Sequence, residues 1–170
     1  MIGERLTAEH ADEVLALMLD PRVGRTLWPT PDPPPKVKVI VQLEANIAQW
    51  QQRGFGIWLL RDRVSREMVG RGGLAVTRTT GVEEVAVDWA IVPERWNQGL
   101  ATELAGAAVE VAFHRVGLEQ LISMTLPHNL ASRRVMEKAG FHYDREIVHV
   151  GLPHVLYRIS RPNPPQPPRC

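Results

Sequence analysis

The sequence predicts an α+β, or mixed α/β, fold with helices packed on a sheet. Three observations carry this. Strand-like and helix-like apolar periodicities follow one another in the order β-α-α-β-β-β-α-β-α-β-β. Glycine and proline punctuate the chain where turns and helix ends are needed. The 170 residues suit one domain and are enough to bury a core.

The elements follow in chain order. IGERLT, at the N-terminus, is a short strand. Thr7 can cap a helix with Val14, Leu15 and Met18 on its apolar side, stopped near Asp20-Pro21. PTPDPPP, from Pro29 to Pro35, is a stiff loop. Val37, Ile40, Val41, Ile47 and Trp50 then fall at helical spacing, with Gly54 as the C-terminal stop. FGIWLL has the pattern of a buried strand, and RDRVSRE is a polar hairpin connection. MVGRGGLAVT and VEEVAVDWAIV are the next two strands. A helix from about Gly99 places Leu100, Leu104, Ala108 and Val111 on one face and ends at Gly117. EQLISMTL is a strand and ASRRVMEKA a helix closed by Gly140. FHYDREIVHV and HVLYRI form a last hairpin around GLP. Residues 1–160 make the domain, and 161–170 are a Pro-rich tail expected to be disordered.

Composition excludes several function classes. Lys plus Arg number 20 against 19 acidic residues, a near-neutral balance that argues against direct nucleic-acid binding. The sole cysteine is Cys170, which argues against a disulfide scaffold, Cys-ligated zinc or a catalytic thiol. No H-x₃-H spacing or acidic cluster supports a metal site. MIGERLTAEH has no apolar signal-peptide core, and no apolar run reaches membrane-spanning length. The expectation is a soluble cytoplasmic protein without a membrane partner, with monomer and homodimer both open.

The informative stretch is PERWNQGLATEL, residues 93–104, where a strand hands over to a helix. The first N–H groups of a helix lack partners and carry partial positive charge, so they bind phosphate without basic side chains. Gly99 lets a ligand approach the backbone closely, and Ala101 adds little bulk. An ordinary capped helix is the bland alternative. The run Trp96-Asn97-Gln98-Gly99-Leu100-Ala101 resembles the acyl-CoA pyrophosphate loop Q/R-x-x-G-x-G/A of the GNAT acetyltransferase superfamily. An aromatic first position, as in W-N-Q-G-L-A-T-E, is similar to the RimJ/RimL branch that acetylates ribosomal-protein N-termini. NLASRRVMEKAGF, Asn129 to Phe141, resembles that branch's second signature, N-x-x-S-x-x-V-M-E-K-x-G-F.

The resemblance covers nearly the whole chain and implies a GNAT fold. That is a central, mostly antiparallel twisted sheet of about seven strands flanked by about four helices. It implies acetyl-CoA as cofactor and acyl donor. By resemblance, Trp96, Asn97, Gln98, Gly99, Leu100, Ala101 and Thr102 wrap the pyrophosphate, and Ile91 and Val92 pair with the pantetheine arm. Asn129 hydrogen-bonds that arm, although its residue type also suits a plain helix cap. Ser132 lies near the thioester sulfur, where a hydroxyl can serve the leaving thiolate. Arg133 and Arg134 are within reach of a 3′-phosphate or are simply solvated.

Acetylation of an amine by a thioester needs a neutral amine, an aligned carbonyl and an oxyanion donor, and no covalent nucleophile. A backbone N–H near the end of the Trp89–Val92 strand is the natural oxyanion donor in a direct transfer through a tetrahedral intermediate. The family's usual glutamate position is here Ala86. Alternation puts Glu84, Ala86 and Asp88 on one side of a regular strand, so Asp88 or Glu84 is the candidate base, directly or through water, unless a bulge changes the parity. At pH 7 roughly a tenth of an α-amine is neutral, against about 0.04% of a lysine. A weak base therefore matches an N-terminal α-amine of a protein or peptide as acceptor. The alternatives are a small-molecule amine, such as an antibiotic, polyamine or amino acid, and a weakly catalytic acyl-CoA-binding module. The acceptor loops are Thr26–Lys36 and His149–His154, with Trp28, His149 and His154 as possible lining residues. GRGGLA, at 70–75, matches a dinucleotide fingerprint only on paper, because no helix follows it.

Overall fold

The computed structural model describes residues 1–27 and 34–162. Trp28, most of the Pro29–Pro35 loop and the tail from 163 to Cys170 lie outside the described residues. Seven strands form one sheet: β1 (Ile2–Arg5), β2 (Ile57–Arg61), β3 (Met68–Thr77), β4 (Glu84–Ile91), β5 (Gln120–Thr125), β6 (His142–His149) and β7 (Leu152–Ser160). Their order is β1-β2-β3-β4-β5-β7-β6. Only the β4–β5 pair is parallel; the other neighbours are antiparallel. The mostly antiparallel sheet of the GNAT fold is therefore present.

Among the described residues five α-helices flank it, where about four were expected: α1 (Ala11–Met18), α2 (Pro21–Leu27), α3 (Lys36–Arg53), α4 (Leu100–Glu110) and α5 (Leu130–Lys138). The additional helix is α2, at the point read as a stop. Proline ends a helix it interrupts but starts one well, because its fixed φ suits the first position and its missing N–H would be unpaired there anyway. Asp20 completes the start by accepting the Arg22 amide at 2.7 Å.

Helix α3 is rotated from the face expected. Val39, Leu43 and Asn46 are buried, while Val37 and Val41 are exposed. Valines at 37, 39 and 41 offer two apolar stripes, and packing against the sheet selects one. Beyond α4 the chain makes a wider helical turn over Val111–Val116 before Gly117 stops it at φ 79°.

The layers are helix, sheet, helix. On one face Ala105, Ala108, Phe113 and Met136 pack against Leu74, Val87, Leu121 and Val155. On the other, Val14, Leu17, Val39 and Leu43 pack against Leu6, Ile57, Leu59 and Ala90. The glycines of the false fingerprint serve this packing within β3. A Cβ on Gly72 would stand 2.4 Å from Leu104 Cδ2 and 2.5 Å from the Asp88 carbonyl oxygen. The β3–β4 register runs without a shift from Thr77↔Glu84 to Gly70↔Ile91, so Glu84, Ala86 and Asp88 do share a side.

Candidate active site

The site begins with a split in the sheet. Among the described residues, β4 and β5 are paired at one position, Ala86↔Ile122. Just past it, Ser123 Oγ donates to the Val87 carbonyl at 3.0 Å. Farther along, the Val92 amide donates to the Val69 carbonyl of β3 at 3.0 Å. Backbone groups alternate along a strand, so the amides of Trp89 and Ile91 point away from β3, into the opening. A cleft of about 410 Å³ lies there.

The turn after β4 forms one wall. Asn97 at φ 60° and Gly99 at φ 79° are both left-handed and turn the chain sharply into α4. No side chain caps α4, and the Glu103 amide bonds back to the Gly99 carbonyl at 2.9 Å. Helix geometry leaves the amides of Leu100, Ala101 and Thr102 without intrahelical acceptors. These unsatisfied donors at the positive end of α4 fit a diphosphate. Trp96, Asn97, Gly99, Leu100, Ala101 and Thr102 all line the cleft; Gln98 does not. Gln98 instead accepts Arg95 Nε at 2.9 Å, and Arg95 Nη2 lies 2.8 Å from Asp62 Oδ2. That pairing, with amide hydrogen bonds from Val64 and Ser65, holds the Asp62 carboxyl at about 2. The β2–β3 turn thereby anchors the loop.

Two expected backbone contacts are already taken. The Trp96 indole donates to the Ile91 carbonyl at 2.7 Å, and the Val92 amide serves β3. Ile91 lines the cleft and keeps its amide toward it, whereas Val92 does not line it. The groups left in the split are those of Trp89 and the Ile91 amide.

Helix α5 forms the opposite wall with Asn129, Ser132, Arg134 and Lys138. Asn129 is buried; its Oδ1 accepts the Ser132 amide at 3.1 Å and its Nδ2 donates to the Thr26 carbonyl at 3.0 Å. Arg133 turns away, donating to Tyr157 Oη and the Pro127 carbonyl, each at 3.2 Å. Arg134 and Lys138 are one turn apart on the same helix face, so both cations meet the cleft. Lys138 and Val23 are cleft residues that sequence reasoning missed, and Thr26 and Leu27, expected in an acceptor loop, reach the cleft from the last turn of α2. The four-residue spacing of Arg134 and Lys138 was a readable signal, as was Asp20-Pro21 as a helix start.

The carboxylates separate. Glu84 begins β4, roughly 23 Å of strand from Ile91. It accepts Thr80 Oγ1 and pairs with Arg158. Burial alone would raise its pKa, but these partners hold it below the usual value. The structure does not bring Glu84 to the cleft. Asp88 is nearer the split, and Arg71 Nη1 lies 2.8 Å from its Oδ2. Asp88 does not itself line the cleft. His149 and His154 stack edge to face at 5.4 Å, and His149 Nδ1 is 3.2 Å from Thr79 Oγ1. Burial, then the neighbouring His154, lowers the His149 pKa. No metal-binding group of three or more His, Cys, Asp or Glu occurs among the described residues. No described helix is long and apolar enough to cross a membrane.

Comparison with known proteins agrees with this geometry. Residues 4–142 match the family described as acetyltransferase (GNAT) domain. The probable N-acetyltransferase YjcK of Bacillus subtilis is 27% identical over 105 residues, 62% of this chain and 56% of that protein. The FsC-acetyl coenzyme A-N(2)-transacetylase of Aspergillus fumigatus is 34% identical over 122 residues, 64% of this chain and 51% of that protein. The matched region thus spans little more than half the length of these relatives. A GNAT-family acetyltransferase structure from Bordetella pertussis superposes with a TM-score of 0.79 at 22% identity, covering 93% of this chain and 94% of that one. The aminoglycoside acetyltransferase AAC(6′)-Ib with coenzyme A and kanamycin gives 0.73 at 18% identity, with 94% of each chain covered. RimL, the ribosomal L7/L12 α-N-protein acetyltransferase, in complex with coenzyme A, gives 0.73 at 14% identity over 93% of this chain and 92% of that one. With a match across most of its length, and the sheet, split and helix start in place, this chain belongs to the GNAT acetyltransferase family.

Proposed function

We propose that the protein acetylates a primary amine with acetyl-CoA as donor, and that the acceptor is a protein or peptide N-terminal α-amine. The observation that carries this is the split after Ala86, into which the uncapped start of α4 and the amides of Trp89 and Ile91 point. Acetyl-CoA supplies an activated acyl carbon and a thiolate leaving group. The amides of Leu100, Ala101 and Thr102 hold the diphosphate. Arg134 and Lys138 hold the outer phosphate. The Trp89 and Ile91 amides bind the pantetheine arm and the carbonyl oxygen. The Ser132 hydroxyl serves the leaving sulfur. Asp88, through its Oδ1 and a water, takes the proton from the amine, with Glu84 the less favoured candidate because Arg158 and Thr80 engage it.

The RimJ/RimL-like acceptor rests on W-N-Q-G-L-A-T-E and on the scarcity of a strong base in the cleft wall, since Ala86 stands at the usual glutamate position. An α-amine needs less help to be neutral than a lysine. A small-molecule amine is the second reading, favoured by the name of the Aspergillus relative and by the aminoglycoside enzyme's shared fold. Calorimetry with CoA tests the cleft, and acetylation of an N-terminal peptide panel against aminoglycosides, polyamines and amino acids tests the acceptor. Turnover of peptides alone supports the first reading; turnover of small amines alone replaces it with the second.

A further inference from the structure

Helix α2 is gripped from both sides of the split. On the α5 side, Asn129 Nδ2 donates to the Thr26 carbonyl at 3.0 Å while its Oδ1 accepts the Ser132 amide at 3.1 Å. On the β4 side, Arg22 Nη2 lies 2.7 Å from Glu94 Oε1, in the turn that leads to α4. Between these anchors, Val23, Thr26 and Leu27 line the cleft. Thr26 belongs to the last turn of α2, whose carbonyls have no intrahelical donors. A buried carbonyl left without a donor is costly, and Asn129 supplies that donor. Both ends of the Asn129 amide thus bond to protein, each with one further hydrogen-bonding position, and the residue is only 8% exposed. The resemblance gives this residue to the cofactor; the hydrogen bonds give it a partner in α2 as well.

We infer that Asn129 is a positioning residue that latches α2 across the split as a crossbar, with Arg22–Glu94 as the second anchor. The crossbar screens the acyl end of the cleft from water and sets where the amine enters. Released, it lets water attack the acetyl carbon, so that the C–S bond breaks to give acetate and the free thiol. The enzymatic half of this inference rests on the acyl-transfer reading; the structural half does not.

Asn129→Asp separates the latch from the cap. Aspartate caps a helix as well as asparagine does, but it offers no N–H to Thr26. Hydrogen exchange of the α2 amides in N129D should quicken about fivefold, the loss of one hydrogen bond, while α5 exchange stays unchanged. Glu94→Gln should quicken α2 in the same direction, by less because that pair is exposed, without touching residue 129 or the Arg22–Asp20 pair. Both variants should raise the KM for the amine and the acceptor-free hydrolysis of acetyl-CoA, while Asn129→Ser, which keeps a neutral cap and adds no charge to the cleft, should leave the Kd for CoA within about twofold of wild type. Unchanged α2 exchange in both variants overturns the latch. Faster exchange with unaltered KM and hydrolysis overturns its role, and a CoA Kd raised tenfold or more in Asn129→Ser makes Asn129 a direct ligand. If the wild type binds no CoA, the acyl-transfer reading falls, and the exchange data still decide the crossbar.

Discussion

Arg71 and Asp88 meet diagonally across β3 and β4, Nη1 to Oδ2 at 2.8 Å, with the arginine nearly buried and the aspartate 39% exposed. In the ladder Arg71 faces Ala90 and Gly73 faces Asp88. The absent side chain at 73 therefore leaves the arginine free to reach across. One carboxylate oxygen is committed to the guanidinium, and the other is the one our proposal assigns to the water. The pair fixes the orientation of Asp88 two residues beyond the position where the strands part.

Asp88→Asn should lower kcat by about two orders of magnitude with little change in the Kd for CoA. It should also destabilise the fold by about 1–3 kcal/mol. That is less than a fully buried broken pair costs, because Asp88 is partly solvated. Steady-state kinetics with calorimetry and denaturant melts check both. A comparable kcat loss in Glu84→Gln, with Asp88→Asn unimpaired, would move the role to the other carboxylate.

Gly72→Ala should destabilise the protein by about 1–3 kcal/mol, because the new methyl collides with the Asp88 backbone oxygen, which cannot swing aside as Leu104 can. Chemical denaturation should show a lowered midpoint with an unchanged slope.

Gly99→Ala meets no neighbouring atom within 4 Å, so its cost is conformational only, about 1 kcal/mol for a left-handed residue. The same strain rotates the first amides of α4. CoA affinity should fall about tenfold while the melting temperature drops by only about 2–4 °C. A variant that binds CoA normally would show that those amides do not grip the diphosphate.

Arg134→Ala and Lys138→Ala should each weaken CoA binding about fivefold at low salt, and less at high salt, because both cations sit at an open wall. The same changes should leave 3′-dephospho-CoA nearly unaffected. Equal losses for the two ligands would place both cations at the diphosphate instead.

His149 makes stability depend on pH. Burial and His154 lower its folded pKa below the usual 6.5, so the unfolded chain binds the proton more readily. This contribution is intact above about pH 6.5 and is lost as pH falls from there toward the lowered folded value. His149→Gln should flatten that part of a melting-temperature profile while keeping a hydrogen-bonding group near Thr79. A profile that stays equally steep would assign the titration to another group.

Much of the architecture was legible because apolar periodicity is local. All seven strand positions and four of the helices followed from spacing and from glycine stops such as Gly54 and Gly117. The exceptions share a cause. Pro21 reads as a breaker until Asp20 is seen accepting the Arg22 amide, and the buried stripe of α3 depends on which face the sheet meets. In the cleft, Trp96 to Thr102 stood out by residue type at a helix start. Lys138 and α2 had local signals, the four-residue spacing from Arg134 and the Asp20-Pro21 start, but that they face the cleft is decided by what lies across the split.

By itself the sequence determined the order of elements, the strand-to-helix turn at Gly99 and the parity that places Asp88 with Ala86, since each depends on residues within a few positions. Only the tertiary structure decided that β4 and β5 part after Ala86, that Glu84 is claimed by Arg158, and that Asn129 holds Thr26. Those outcomes join residues 36 to 103 positions apart. Hydrogen-bond partners at such separations are set by packing, which local pattern does not encode.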